Sequence, residues 1–388
     1  MGKIPDYKFI ESENQFKDIC DKISNEKVIG VDLEANSMHC FKQRICLIQI
    51  ASQKQVFLID PFKIKKIPFF LKLLENKDII KVFHGSDYDI RCLDRDYNAK
   101  VNNLFDTEIA ARFLGIRQRN LAALLKDKFD LNIDKRLQKC DWSKRPLTKE
   151  MIDYSALDVA YLIKLYKNIK EELIKKNRFG WAKEEFEAQE KVKHINYDLP
   201  LYKKFKGAGR IGKESLSVLE NLLQLRILIA EKKDLPLFRI MSNKSLMIMA
   251  QKKPCTINKL IKTNVLSEKQ LDMYAKDCVN AIRKALEKSN IQKIMSFNSN
   301  VSFPEKNDVD EKIVNSLKKL RKRLSQDLDI EPGFLFNNSL IKAISTDQPM
   351  SISKLLKVEN IRKWQLENIG EEIINIVKKY KILTQGIE

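Results

Sequence analysis

The sequence lacks the features of a membrane-spanning or secreted protein. Of its 388 residues 44% are hydrophobic, and no apolar run approaches the length of about 18 residues that a membrane-spanning helix needs. The first residues, Met-Gly-Lys-Ile-Pro-Asp-Tyr, do not join a basic region to an apolar one, so we expect no signal peptide. A lipid anchor and a basic amphipathic anchor helix are also not evident.

Paired cysteine spacing is missing as well. The cysteines are odd in number and scattered, at positions 20, 40, 46, 92, 140, 255 and 278. Disulfide frameworks and zinc sites use regularly spaced residues, and His39-Cys40 with Cys46 does not have the spacing of zinc ligands. We therefore expect reduced, partly buried thiols in a cytoplasmic protein.

Positive charge, by contrast, is abundant. The chain carries 72 Lys and Arg against 52 Asp and Glu, a formal net charge of +20. Such a protein attracts polyanions in a salt-dependent way, which makes nucleic acid or an anionic membrane surface the candidate partners. Part of the excess is lysine spread through the whole chain, which favours solubility. The charge supports a nucleic-acid partner without identifying one.

The N-terminal half has the pattern of a mixed α/β sheet with helices packed on it. Apolar, β-branched runs at 28–33, 45–50 and 56–59 predict three successive strands, an antiparallel meander. Helices and short strands then alternate, with helices at 67–74 and 88–97, strands at 79–83 and 104–105, and helices from Thr107 and Asn120. A longer helix is predicted from Thr148, a good N-cap residue.

Two acids end the first of these strands. Asp32 and Glu34 are two residues apart, so on a strand their side chains leave the same face. Neighbouring carboxylates repel each other and are costly to desolvate, and a shared divalent cation with its preference for oxygen ligands would stabilise them. A strand end with both acids in water is the alternative.

Further acids occur in two stretches of the same half. The residues His84-Gly-Ser-Asp-Tyr-Asp89 follow the predicted strand 79–83, and strand ends are where functional groups collect in α/β folds. Tyr154 and Asp158 are four residues apart on the helix from Thr148, which puts the phenol and the carboxylate side by side.

The C-terminal part is predicted to be helical and to contain an internal repeat. Apolar helices and prolines from 219 to 260 recur about 95 residues later, from 317 to 355, which indicates two copies of one small helical unit. Between the halves, Gly207-Ala-Gly-Arg-Ile-Gly212-Lys213 matches the pattern of nucleotide-binding loops. No buried strand precedes it and Glu214 replaces the Ser or Thr of a P-loop, so we assign it no nucleotide site.

Taken in order, these motifs resemble the DEDD exonuclease superfamily, in its tyrosine-bearing branch, the ribonuclease D family. The resemblance runs from about Val28 to Leu165. It includes Val-Asp32-Leu-Glu34, Arg44-Ile-Cys-Leu-Ile-Gln49-Ile, His84-Gly-Ser-Asp-Tyr-Asp89-Ile, Asp106-Thr-Glu, Asp141-Trp142-Ser-Lys-Arg145-Pro-Leu and Tyr154-Ser-Ala-Leu-Asp158. The two helical units resemble HRDC domains, which are nucleic-acid-binding modules.

The resemblance implies a ribonuclease H-like exonuclease domain in which Asp32, Glu34, Asp89 and Asp158 bind two divalent ions, Mg2+ or Mn2+. It further implies that Asp32 bridges the ions and that Tyr154 orients the attacking water. Asp87 competes with Asp89, which we prefer because an apolar residue, Ile90, follows it as in the family.

Three other residues of these motifs stay outside the catalytic set. His84 is either a site residue or a loop residue held by hydrogen bonds, and Trp142 is expected to be buried framework. Arg145 is expected to contact phosphate or to pair with a neighbouring acid.

We expect an exonuclease domain at 1–175, a connector at 176–213 and HRDC-like domains at 214–294 and 308–388. The implied function is a metal-dependent 3′-5′ exoribonuclease that releases 5′-mononucleotides and trims RNA with a free 3′ end, such as tRNA precursors, without an obligate protein partner. A 3′-5′ DNA exonuclease and a non-catalytic RNA-binding adaptor are the alternatives.

Overall fold

The structure, a computed structural model, describes residues 5–64, 66–133, 136–194, 200–287 and 310–385, the last five without their side chains. The expected domain limits at 1, 294, 308 and 388 lie outside these residues. In the described part of the chain, helices and strands follow one another in the order that the sequence pattern predicts, with additions noted below.

Six strands pair in a mixed sheet of order β1-β4-β3-β2-β5-β6. They are β1 (Tyr7–Ile10), β2 (Val28–Ala35), β3 (Ile45–Ala51), β4 (Val56–Ile59), β5 (Ile80–Phe83) and β6 (Leu104–Asp106). The predicted antiparallel meander of β2, β3 and β4 is confirmed. β5 and β6 extend the sheet from β2 in parallel, and β1 pairs in parallel with β4. The sequence pattern misses β1 because only Ile10 of its four residues is buried.

Helices pack around this sheet. They are α1 (Glu13–Ile23), α2 (Pro68–Glu75), α3 (Asp87–Tyr97), α4 (Thr107–Phe113), α5 (Leu121–Phe129), α6 (Lys149–Ala160), α7 (Leu162–Lys175) and α8 (Phe179–Gln189). The predicted N-cap of α6 is confirmed, since the Thr148 hydroxyl accepts from the Met151 N–H at 3.3 Å.

Helix α8 lies in the segment expected to be a connector. Its charged residues obscure two buried anchors, Ala182 and Phe186, and the Phe186 ring lies 4.8 Å from that of Phe105 next to the sheet. A short helix with few apolar positions still forms here because tertiary packing stabilises it.

The C-terminal part consists of two similar groups of helices. The first comprises α9 (Lys213–Lys233), α10 (Leu237–Ile240), α11 (Asn243–Lys252), α12 (Ile257–Ile261) and α13 (Glu268–Ala285). The second comprises α14 (Glu311–Asp327), α15 (Pro332–Leu335), α16 (Asn338–Asp347), α17 (Ile352–Leu355) and α18 (Lys363–Gln385). In the described residues no helix has the length and apolar character to cross a membrane.

The chain divides into two compact units. The first holds residues 1–35, 45–194 and 306–388, so it contains both the sheet and the second helical group. Its described apolar residues form one continuous core. The second unit holds residues 36–44 and 195–305, with its own core around α9.

Candidate metal and active site

Three of the predicted acids meet where β2 ends. Asp32 and Glu34 project from β2, and Asp158 from α6, which packs against that strand. One carboxylate oxygen from each lies within 4.8 Å of the others. Since carboxylate oxygens are the ligands that hard divalent cations prefer, these residues could hold a metal ion.

The structure separates Asp89 from its competitor Asp87, although both lie in the first turn of α3. Asp89 is buried, with 6% of its surface exposed, and its charge acts on Glu34. Asp87 is 59% exposed and forms an ion pair with Arg91 at 2.9 Å. Of the two, only Asp89 faces the other acids, although it lies outside the group within 4.8 Å.

The pKa values of all four carboxyl groups are raised. Desolvation raises the pKa of Asp32 to about 6, and desolvation followed by the charge of Asp32 raises that of Asp158 to about 8. The same two causes hold the pKa values of Glu34 and Asp89 well above their ordinary range. Such a cluster favours a bound cation, because positive charge offsets the repulsion that the ionised forms would otherwise suffer.

Tyr154 lies next to these acids. It is 5% exposed, and its hydroxyl forms a hydrogen bond with Asp158. Burial, and then the negative charge of Asp158, raise the pKa of the phenol, so it stays protonated and can donate. A fixed donor beside a carboxylate cluster can orient a water molecule or a phosphate oxygen.

Asp106 organises the approach to α3, a role that its motif did not reveal. Its carboxylate accepts from the N–H groups of Gly85 at 3.0 Å and Ser86 at 2.7 Å and from the Ser86 hydroxyl at 2.7 Å. It also accepts from Glu108 N–H at 2.8 Å and Ile109 N–H at 3.2 Å, and so caps α4. Asp106 therefore holds the turn from which α3 and Asp89 begin. Its position at a strand end directly before Thr-Glu was the available sequence signal.

The remaining motif residues have structural roles in their contacts. His84 Nδ1 lies 2.9 Å from Thr107 Oγ1, which donates to the Phe83 carbonyl at 3.1 Å, so the ring is tied to the loop framework. Trp142 is fully buried, and its ring centre lies 6.1 Å from that of Tyr154. Arg145 pairs with an acid, which is one of the two expectations for this residue. It donates to both carboxylate oxygens of Asp60, at 2.7 and 2.9 Å.

Comparison with known proteins identifies the family of three segments of the chain. Residues 7–174 match the 3′-5′ exonuclease family, and residues 215–282 and 310–377 each match the HRDC domain. Ribonuclease D of Shewanella sp. (strain ANA-3) is 27% identical over 72% of this chain and 72% of its own length. That of Desulfotalea psychrophila is 27% identical over 86% of this chain and 89% of its own.

The chain therefore contains a 3′-5′ exonuclease domain followed by two HRDC domains, and it is similar to ribonuclease D. The crystal structure of Escherichia coli RNase D has the same fold, with a TM-score of 0.75 at 20% identity over 97% of this chain and 99% of that one. Other relatives are longer, and the chain spans between 19% and 50% of their length.

The two HRDC domains of this ribonuclease D-like chain repeat with an offset of 95 residues, as their matched ranges do. Gln270 donates to the Ile240 carbonyl at 2.8 Å, and Gln365 to the Leu335 carbonyl at 2.6 Å. An arginine recurs in the same way. Arg226, which is buried, and Arg321, which is half-buried, each donate to a backbone carbonyl and to an asparagine, Asn243 and Asn338 respectively. The internal repeat predicted from the sequence is therefore confirmed down to single hydrogen bonds.

Proposed function

We propose that this protein hydrolyses RNA from its free 3′ end and releases 5′-mononucleotides. The observation that carries the proposal is the convergence of Asp32, Glu34 and Asp158 within 4.8 Å, with Asp89 and Tyr154 beside them. This is an oxygen-rich site that could hold divalent cations next to a fixed proton donor.

In this proposal Asp32, Glu34, Asp89 and Asp158 would hold two divalent ions, Mg2+ or Mn2+. When bound, such ions lower the pKa of the attacking water and stabilise charge on the leaving 3′ oxygen. The protein's part is to place the four carboxylates. The Tyr154 hydroxyl, oriented by Asp158, positions the attacking water.

The domain organisation of the proposal assigns residues 1–175 to hydrolysis and 214–294 and 308–388 to HRDC domains, with 176–213 between them. The first HRDC domain supplies phosphate contacts through a surface groove of about 410 Å3, where Lys276 and Arg283 are the cationic residues. The natural substrates would be structured RNAs with 3′ extensions, tRNA precursors among them. The cytoplasmic location stays a prediction.

End-labelled tRNA with an unpaired 3′ extension, incubated in Mg2+, tests the proposal. We expect stepwise release of mononucleotides by the wild type and none by Asp32→Asn or Asp158→Ala, with RNA binding retained. Asp89→Asn and Asp87→Asn form a matched pair, of which only the former should abolish turnover. Hydrolysis at wild-type rate by Asp32→Asn would refute the site.

Two further experiments distinguish the proposed function from a DNA exonuclease and from a non-catalytic adaptor. A DNA oligonucleotide of the same sequence is expected to be degraded more slowly than the RNA, and the opposite order would identify a DNA exonuclease. A non-catalytic adaptor would bind RNA without Mg2+ and release no nucleotides at any metal concentration.

A further inference from the structure

The second HRDC domain meets the exonuclease domain through aromatic side chains. Trp364, at the start of α18, stacks on Trp181 of α8, with ring centres 5.0 Å apart and planes at 18°. Phe113 of α4 lies 4.7 Å from Phe334 and 5.5 Å from Trp364. Trp364 is 1% exposed, so this contact excludes water as the core of a domain does.

Charged pairs surround the aromatic contact. Arg362 pairs with Glu185 at 3.0 Å, and Arg119 with Glu331 at 2.8 Å. Arg178, directly before α8, donates to the Leu328 carbonyl at 2.8 Å, next to the end of α14. An aromatic centre with a charged and hydrogen-bonded rim is the composition of a specific interface.

Helix α8 also caps the last helix of the second HRDC domain. The two carboxylate oxygens of Glu184 accept from the N–H groups of Lys363 at 2.8 Å and Trp364 at 2.9 Å, the first two residues of α18. These N–H groups have no partner within their own helix, so a carboxylate here satisfies both and also interacts favourably with the helix dipole.

The equivalent helix of the first HRDC domain caps itself. Ser267 accepts from the Gln270 N–H at 3.3 Å, and Gln270 accepts from the Ser267 N–H at 3.0 Å, a complete capping box. Ninety-five residues later the glutamine persists as Gln365 and accepts from the Arg362 N–H at 2.8 Å. Arginine has no side-chain acceptor, however, so position 362 cannot complete the box.

We propose that the second HRDC domain has exchanged its own helix cap for one supplied by α8, the helix that follows the exonuclease domain. The residues Asp329–Phe334 and Arg362–Trp364 form a docking surface whose partner is α8 together with α4 of the same chain. The arginine that replaces the capping serine contributes to docking through Glu185, while Glu184 accepts from the first two N–H groups of α18. The two repeats therefore differ at this helix, which caps itself in the first HRDC domain and is capped by α8 in the second.

Hydrogen exchange of the full-length protein tests the shared cap. In Glu184→Ala we expect the amides of Lys363 and Trp364 to exchange about fivefold faster, the effect of losing a typical N-cap. Glu187→Ala is the matched control, because Glu187 is an exposed carboxylate of the same helix, at 54% exposure, and pairs with Lys183. Unchanged exchange in Glu184→Ala, or an equal change in the control, would overturn the proposal.

A rescue variant distinguishes a cap from general destabilisation. Adding Arg362→Ser to Glu184→Ala recreates the Ser-x-x-Gln box of the first HRDC domain, in which the serine accepts from the third N–H of the helix. The Gln365 amide should then exchange more slowly than in Glu184→Ala, while the amides of Lys363 and Trp364 stay fast. No slowing of the Gln365 amide would mean that the start of this helix does not depend on a cap, and the proposal would fail.

Docking itself is tested by charge exchange. Arg362→Glu should lower the unfolding midpoint and change the tryptophan emission, since Trp181 and Trp364 are two of the three tryptophans. Combining it with Glu185→Arg should restore both signals towards the wild type. A double variant no better than the single one would show that these surfaces do not meet in solution.

Discussion

At the scale of single residues, the carboxylates of this protein differ in the groups that surround them. Asp32, Glu34 and Asp158 lie against one another, and their pKa values are raised, whereas Asp106 is surrounded by N–H and O–H donors. Carboxylates of the first kind favour a cation, and a carboxylate of the second kind is already satisfied and fixes the backbone around it. Asp106 is of the second kind, and it fixes the turn before Asp89.

Asp106→Asn should therefore slow catalysis without touching the reacting atoms. The side-chain amide oxygen of the asparagine can still accept from Gly85 N–H and from the N–H groups at the start of α4. Its NH2 group, however, would face the N–H and hydroxyl donors of Ser86, so the turn before Asp89 must shift. We expect kcat to fall about 10- to 100-fold with little change in KM for RNA. Steady-state kinetics check this, with Ser86→Ala, which removes one donor, as the milder control. A kcat within twofold of the wild type in a folded variant would contradict it.

The Asp60–Arg145 pair predicts a pH dependence of stability. Asp60 is fully buried, and although burial opposes the effect, its bonds to Arg145 and Phe62 N–H hold the pKa of its carboxyl below the ordinary value. The stabilisation is therefore complete above the unfolded pKa of about 4 and is lost as pH falls through the folded pKa. Asp60→Asn should lower the free energy of unfolding at neutral pH by about 3 kcal/mol. Urea unfolding measures the free energy of unfolding at pH 7 and at pH 3, and the change between the two pH values should be smaller for the variant than for the wild type.

At the scale of helices and strands, local sequence signals predicted most of the fold. Apolar β-branched runs predicted β2 to β5, and Thr148, Asn120 and the repeat of 95 residues predicted helices, because caps and apolar faces are local properties. Helix α8 was missed because the contacts that stabilise it come from the sheet and from the second HRDC domain.

The candidate site was less accessible to sequence reasoning. Asp32 and Glu34 could be paired from strand geometry alone, but the approach of Asp158 and Asp89 required knowledge of the packing and came from a family resemblance. Asp106 was named only within a motif and without a role, and Glu184 was not singled out, since each acts through backbone N–H groups that are distant in sequence or in another element.

Gly30 shows how an element-level contact sets the site. A Cβ at this position of β2 would lie 3.2 Å from both the Leu162 Cβ and the Val159 carbonyl, where α6 meets α7. Because Gly30 precedes Asp32 by two residues and Val159 follows Asp158, the close approach of strand and helix brings these two acids together.

Gly30→Ala should therefore separate the acids. We expect overpacking to lower the free energy of unfolding by about 1–3 kcal/mol. Exonuclease activity should fall by more than the smaller folded fraction explains, because the acids are displaced. Chemical unfolding and single-turnover hydrolysis at saturating Mg2+ measure the two effects. Gly209→Ala, at a position where an added Cβ has no neighbour within 4 Å, is the control and should leave both unchanged. Activity of Gly30→Ala equal to the wild type would refute the link.

At the scale of the whole molecule, the net charge of +20 leads to a prediction that separates the two HRDC domains. Lys276 lines the groove of the first domain, and the residue 95 positions later is Glu371, so the sign of the charge is reversed in the second HRDC domain.

If the first domain holds the RNA, Lys276→Ala should weaken RNA binding several-fold at low salt and reduce the slope of log K against log salt by up to about 1. Lys378→Ala is the matched control, since Lys378 is an exposed cation of the second domain at the position equivalent to Arg283. Binding isotherms at several salt concentrations, measured on an Asp32→Asn background to prevent degradation, compare the two. An equal loss in both variants would place RNA on both domains, and no loss in Lys276→Ala would remove the groove from the binding surface.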